Sequence, residues 1–207
     1  MGARRLYLCT PDRPDLGEFV AACIRGGVDI VQLREKGLEA RQLLRRAEVV
    51  AEQCRAGGVP FILNDRPDLA LAAGADGVHV GQDDCPPTVA RAILGPKAVI
   101  GLSTHAPDQL DAAGTEPVDY VSTGPVVHTA THPDREPTGF GYLGYAAAHS
   151  PVPFFVTGGA SPDTVGAMAA AGAIRFVVVR YLTEAADPEQ AAGRLRSAIE
   201  AALAQTP

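Results

Sequence analysis

Positive charge is in short supply: 18 Lys and Arg stand against 24 Asp and Glu, a net charge of -6, with a pI near 5.3. A chain so balanced does not hold nucleic acid or a membrane surface through a bulk positive field. Any phosphate it handles has to be met by a few local groups. Long hydrophobic runs are missing too, and no stretch approaches the roughly 18 apolar residues of a membrane span. The N-terminal "MGARRLYLCTPDRPD" lacks the apolar segment of a signal peptide, so a cytoplasmic location is expected. The four cysteines, Cys9, Cys23, Cys54 and Cys85, show no paired metal-ligand spacing, and their scatter suits reduced thiols better than a disulfide framework. No Gly-rich dinucleotide turn follows the first apolar run, where "LCTPDRP" stands instead. No linker-like break divides the chain, so residues 1–207 are expected to form one domain.

Hydrophobic residues make up 46% of the chain and charged residues 20%, which excludes a disordered polymer, while 22 Gly and 17 Pro demand many tight connections. Short apolar runs alternate with Ala-rich amphipathic stretches. The expected strands are "RLYLC" (5–9), "DIVQLR" (29–34), "PFILN" (60–64), "GVHV" (77–80), "AVIGLS" (98–103), "DYVST" (119–123), "PFFVT" (153–157) and "RFVVV" (175–179). Helical patterns separate them, from "DLGEFVAACIRGG" to the closing "PEQAAGRLRSAIEAALAQ", and several end in Gly. A strand followed by a helix, eight times over, is the count that closes a parallel α/β barrel of the (β/α)8 TIM type. An open doubly wound sheet is the alternative.

Such a barrel carries its active site at the C-terminal ends of the strands. In "VDIVQLREK" the residues Val28, Ile30, Gln32, Arg34 and Lys36 share one side of a strand. Val28 and Ile30 are expected to fill the barrel below, leaving the amide and two cations at its mouth. Taken alone, "REK" also reads as a solvated loop of mixed charge. "ILND" places Asn64 and Asp65 after strand three, and "VHVGQDD" places Asp83 and Asp84 after strand four. Acids on two neighbouring strand ends, beside cations on a third, suit Mg2+ bridging carboxylates to substrate phosphates. Asp65 and Asp84 could equally be helix N-caps, and so could Ser103 in "GLSTH". The connection "STGPVVHTATHPDREPTGFG" (122–141) is long for so small a barrel and rich in Thr, Pro and Gly, as binding loops are. His128 and His132 within it read either as ligand-facing groups or as surface histidines. Gly158 and Gly159 in "VTGGASPD" suit a loop where a phosphate approaches the backbone.

"QLREK", "ND", "GVHVGQDD", "GLSTH", "STGPVVHTATH" with a downstream "PTG", and "TGGASPD", in this order, resemble the thiamine-phosphate synthase family across nearly the whole chain. The resemblance implies a transferase that joins 4-amino-2-methyl-5-(diphosphooxymethyl)pyrimidine to 4-methyl-5-(2-phosphoethyl)thiazole, releasing pyrophosphate by a dissociative, Mg2+-assisted substitution. It implies that Gln32, Arg34, Glu35, Lys36, Asn64, Ser103 and His132 hold the pyrimidine diphosphate. Thr129, Ala130, Thr131, Gly159, Val179 and Arg180 would receive the thiazole phosphate, and Asp65 and Asp84 would hold one Mg2+. The resemblance implies no residue that acts as a nucleophile. His132 stands where the family usually has Lys, and Arg180 where it often has Ser. A thiazole tautomerase on the same scaffold and a non-catalytic binder of thiamine precursors are the alternatives. Partners are phosphorylated small molecules rather than nucleic acid or membrane, and a homo-oligomer is left open.

Overall fold

The structure is a computed structural model that describes residues 1–128 and 136–205. Eight parallel strands close a barrel in sequence order: β1 (Leu6–Thr10), β2 (Ile30–Leu33), β3 (Phe61–Asn64), β4 (Gly77–Val80), β5 (Val99–Thr104), β6 (Tyr120–Thr123), β7 (Phe154–Val156) and β8 (Phe176–Val178). Closure is by β8 against β1, with Leu6 opposite Phe176. The open doubly wound alternative is thereby excluded. Around the barrel run α1 (Leu16–Arg25), α2 (Ala40–Gly57), α3 (Pro67–Ala73), α4 (Pro87–Leu94), α5 (Pro107–Ala112), α6 (Gly139–His149), α7 (Val165–Ala170), α8 (Arg180–Thr183) and α9 (Pro188–Ala204).

Helix α1 shows how the sequence builds the outer ring. Its buried residues Leu16, Phe19, Val20 and Cys23 recur at helical spacing and face the barrel. Each buried large side chain of this kind contributes about 2 kcal/mol of transfer free energy. Helix α2 stops at Gly58, whose φ of 65° is left-handed and costs a glycine little. A pyrrolidine ring opens α3, α4, α5 and α9, where a missing N–H loses no helical bond. The element not anticipated is α8, a single turn between β8 and the closing helix.

Both faces of the strands are buried, which explains their continuous apolar runs. Tyr7, Ile30, Ile62, Tyr120 and Phe155 point inward and form the barrel's own core, while alternate residues such as Leu8, Val31, Leu63 and Val121 pack outward under the helices. Val28 was expected beside Ile30 in the interior, and here the structure corrects the sequence reading. Val28 precedes the strand, its N–H donates to Cys23 O at 3.0 Å, and it packs with the outer layer. Phe155 meets Tyr7 and Tyr120 edge to face, both at 5.4 Å between ring centroids. Room for the Tyr120 ring exists because residue 101 is Gly, where a Cβ would lie 2.2 Å from Tyr120 Cζ.

At the N-terminal end of the barrel, three aspartates repeat one device. Asp29 accepts from the N–H of Arg5 and Leu6, Asp76 from Phe61 N–H, and Asp119 from Ile100 N–H. Their own N–H groups donate back to Leu6 O, Phe61 O and Ile100 O. Each one opens an even-numbered strand and clasps the strand before it, fixing the register of a pair. Arg196 Nη1, from α9, reaches Asp29 Oδ2 at 2.8 Å and ties the last helix to the first clasp. With the bottom held this way, the opposite end is left for function.

Candidate active site

A cavity of about 530 Å³ opens at the C-terminal ends of the strands. Its floor is a ring of polar residues at inward parity: Gln32 on β2, Asn64 on β3, His79 on β4, Ser103 on β5 and Ser122 on β6. Gln32 Nε2 donates to Asn64 Oδ1 at 3.2 Å, and both side chains are buried. That bond leaves the Gln32 oxygen and the Asn64 amide hydrogens to a ligand. Arg34 and Lys36 continue the parity of Gln32 and line the rim, as expected. Glu35 does not line the cavity. It lies beyond the end of β2 and turns away, its carboxylate accepting from Gly37 N–H at 2.9 Å and Asp12 N–H at 3.3 Å.

Beside Lys36 stand the two acids. Lys36 Nζ lies 3.0 Å from Asp65 Oδ2. Asp65 has φ of 61°, a left-handed conformation uncommon for a non-glycine residue, and its turn is closed by Arg66 N–H on Asn64 O at 2.8 Å. The strained turn sets the Asp65 carboxylate at the cavity edge instead of on α3. Neither acid caps a helix: the residue before α3 is Arg66, the residue before α4 is Pro86, and neither helix start carries a side-chain cap. Asp84 Oδ2 instead accepts from Gly81 N–H at 2.9 Å. Ser103 sits within β5 and caps nothing.

Burial raises the Asp65 pKa above its ordinary value, Lys36 opposes the rise, and the neighbouring Asp84 adds to it. Two adjoining carboxylates that each disfavour the other's charge are a donor set that a divalent cation would relieve. Among the described residues no group of three or more His, Cys, Asp and Glu side chains forms a metal cage. Mg2+ needs none, since it keeps waters and takes substrate phosphate oxygens beside one or two carboxylates. The pair therefore fits Mg2+.

On the far side, Gly158 and Gly159 carry φ of 92° and 81°. Gly158 is pressed so closely to the neighbouring loop that a Cβ would meet Val126 N at 2.7 Å. Gly159, Ser161, Val179 and Arg180 line this wall, with Arg180 opening α8. His128 lines the cavity as well and is exposed. Thr129, Ala130, Thr131 and His132 lie outside the described residues.

Sequence reasoning passed over His79, although it occupies the same inward parity as Gln32 and Asn64. It is buried, with Nδ1 2.9 Å from Tyr120 Oη and Nε2 2.9 Å from Ser103 Oγ. Burial, with help from the Arg34 guanidinium, lowers its pKa from 6.5 to about 4, so the ring is neutral at physiological pH. A histidine between two valines in "GVHV" was the available signal. Cys9 also lines the cavity, and burial pushes its thiol up to about 12, which keeps it protonated and unreactive.

A profile of the family described as thiamine monophosphate synthase matches residues 6–182. The chain belongs to that family. Among relatives, the thiamine-phosphate synthase of Mycolicibacterium smegmatis is 48% identical over 95% of this chain and 92% of that protein. The same-named protein of Saccharopolyspora erythraea is 48% identical over 93% of this chain and 91% of its own. Among solved structures, thiamine phosphate pyrophosphorylase from Pyrococcus furiosus superimposes with a TM-score of 0.88 at 28% identity, covering 96% of each chain. 3-Hexulose-6-phosphate synthase from Salmonella typhimurium shares the barrel at a TM-score of 0.75 but only 20% identity, a likeness of fold alone. The family is one of transferases in thiamine biosynthesis, and among the described residues no helix is long and apolar enough to cross a membrane.

Proposed function

We propose that the protein is a thiamine-phosphate synthase that joins the aminopyrimidine methyl diphosphate to the thiazole phosphate with the help of Mg2+. The observation that carries this reading is the rim pairing of Lys36 with Asp65, beside Asp84 and lining the same cavity as the Gln32–Asn64 amides. Cations and a metal-binding acid pair suit a diphosphate, and the amides below suit a heteroaromatic ring attached to it. A tautomerase on this scaffold has no use for the acid pair.

In the reaction, the bond between the methylene carbon and the diphosphate oxygen breaks, and pyrophosphate departs with the bonding electrons. The lone pair of the thiazole nitrogen then forms the new carbon–nitrogen bond. Asp65 and Asp84 would hold Mg2+, which when bound neutralises charge that builds on the departing oxygens. Arg34 and Lys36 oppose the same charge from the rim. Gln32 and Asn64 hold the pyrimidine ring in one orientation. Gly159, Val179 and Arg180 hold the thiazole phosphate across the cavity, converting an encounter of two molecules into an oriented one. No protein nucleophile takes part, and the protonated Cys9 thiol is consistent with that.

Calorimetric titration of the pyrimidine diphosphate tests the site directly. Binding that requires Mg2+, and that Asp84→Ala weakens at least about tenfold, is the expected result. Equal affinity in Mg2+ and in EDTA contradicts it.

A further inference from the structure

Tyr7, Tyr120, His79 and Ser103 form one hydrogen-bonded line through the barrel interior, with 2.9 Å at each of its three links. Such a line has two possible directions, because a phenol has one hydrogen and a neutral imidazole has one N–H. Counting donors selects between them. Tyr7 is 1% exposed, and among the described residues its hydroxyl has one partner, Tyr120 Oη. A buried O–H is rarely left without an acceptor, so Tyr7 donates to Tyr120. The Tyr120 hydrogen must then go to His79 Nδ1, which makes Nδ1 an acceptor and leaves the imidazole hydrogen on Nε2. An imidazolium does not fit, since Tyr120 would accept from both sides and its own hydrogen would be stranded.

His79 Nε2–H therefore donates to Ser103 Oγ. Ser122 Oγ lies 3.4 Å from both His79 Nε2 and Ser103 Oγ; with Nε2–H directed to Ser103 at the shorter 2.9 Å, Ser122 is a second and weaker donor to the Ser103 oxygen. With its lone pairs engaged from below, Ser103 has only its hydrogen to offer, and it lines the cavity. We propose that Tyr7 and Tyr120 act through His79 as positioning residues that lock Ser103 as a hydrogen-bond donor to the ligand in the cavity. The partner atom is then a lone pair, as on an aromatic ring nitrogen. If the ligand is the aminopyrimidine, which rests on the function proposed above, the lock favours its unprotonated ring nitrogen. It disfavours an oxo-pyrimidine that presents N–H at the same place.

Nitrogen-15 NMR of the full-length protein at neutral pH, without substrates, reads the direction of the line. The His79 signals are assigned by their loss in His79→Gln. The expected spectrum shows Nε2 as the protonated ring nitrogen and Nδ1 as the bare one. The opposite tautomer, or an imidazolium, overturns the proposal. Kinetics supply the second arm. Tyr120→Phe should raise KM for the pyrimidine diphosphate about tenfold and leave KM for the thiazole phosphate unchanged. His79→Gln, whose amide nitrogen donates where imidazole Nε2 does, should retain more pyrimidine affinity than His79→Asn, which is too short to reach Ser103. Unchanged KM values in Tyr120→Phe, or equal rises in both, also overturn it. Should the wild-type protein form no product, the NMR result still decides the orientation, and the failure belongs to the proposed reaction.

Discussion

Lys36 Nζ lies 3.0 Å from Asp65 Oδ2, an ion pair at the mouth of the barrel between two residues that line the cavity. The lysine is more than half exposed, so the pair adds less than about 1 kcal/mol to stability. Its position matters for charge near the ligand. Lys36→Met is expected to lower kcat/KM about 100-fold while the melting temperature stays within a degree or two. Steady-state kinetics and thermal unfolding on the same preparation check both halves.

Asp29 predicts the reverse separation. It accepts the backbone N–H groups of Arg5 and Leu6 at the start of β1 and pairs with Arg196, at the end of the barrel away from the cavity. Asp29→Ala strands those donors and should cost about 1–3 kcal/mol in urea unfolding. KM for either substrate should not change.

The barrel was legible because both its signals are local: eight apolar runs buried on two faces, and helices with Pro at the start or Gly at the end. Gln32, Arg34 and Lys36 were legible by parity alone, and Glu35 by the same parity faces away. Asp65 and Asp84 were ambiguous in sequence because a helix N-cap and a metal ligand use the same residue in the same place. What distinguishes them is backbone geometry, the left-handed Asp65 turn and the Asp84 bond to Gly81, which no residue pattern displays. Val28 went wrong because parity was carried beyond the end of the strand. His79 was missed because its partners Ser103 and Tyr120 lie on two other strands, with Tyr7 reached through Tyr120 on a third, and only the folded barrel brings them together.

Stability should fall in mild acid for a reason traceable to His79. Its folded-state pKa of about 4 lies below the ordinary 6.5, so the unfolded chain takes up the proton first. The contribution is complete above about pH 6.5, shrinks as the pH falls toward 4, and is flat below that. Its ceiling is of order 3 kcal/mol. Urea midpoints measured from pH 7 to 4 should drop more steeply for the wild type than for His79→Gln.

Arg180 opens α8 on the wall that carries Gly158 and Gly159. Arg180→Ala should raise KM for the thiazole phosphate about tenfold, with little change in KM for the pyrimidine diphosphate. The affinity that remains should be less sensitive to added salt.

The most direct test is formation of thiamine phosphate by the purified protein given both phosphorylated precursors and Mg2+, beside an EDTA control and Asp84→Ala. The account predicts product in the first sample, none in EDTA, and a rate at least about 100-fold lower in the variant. Precursors that bind without forming product, or product that persists in EDTA, would contradict it.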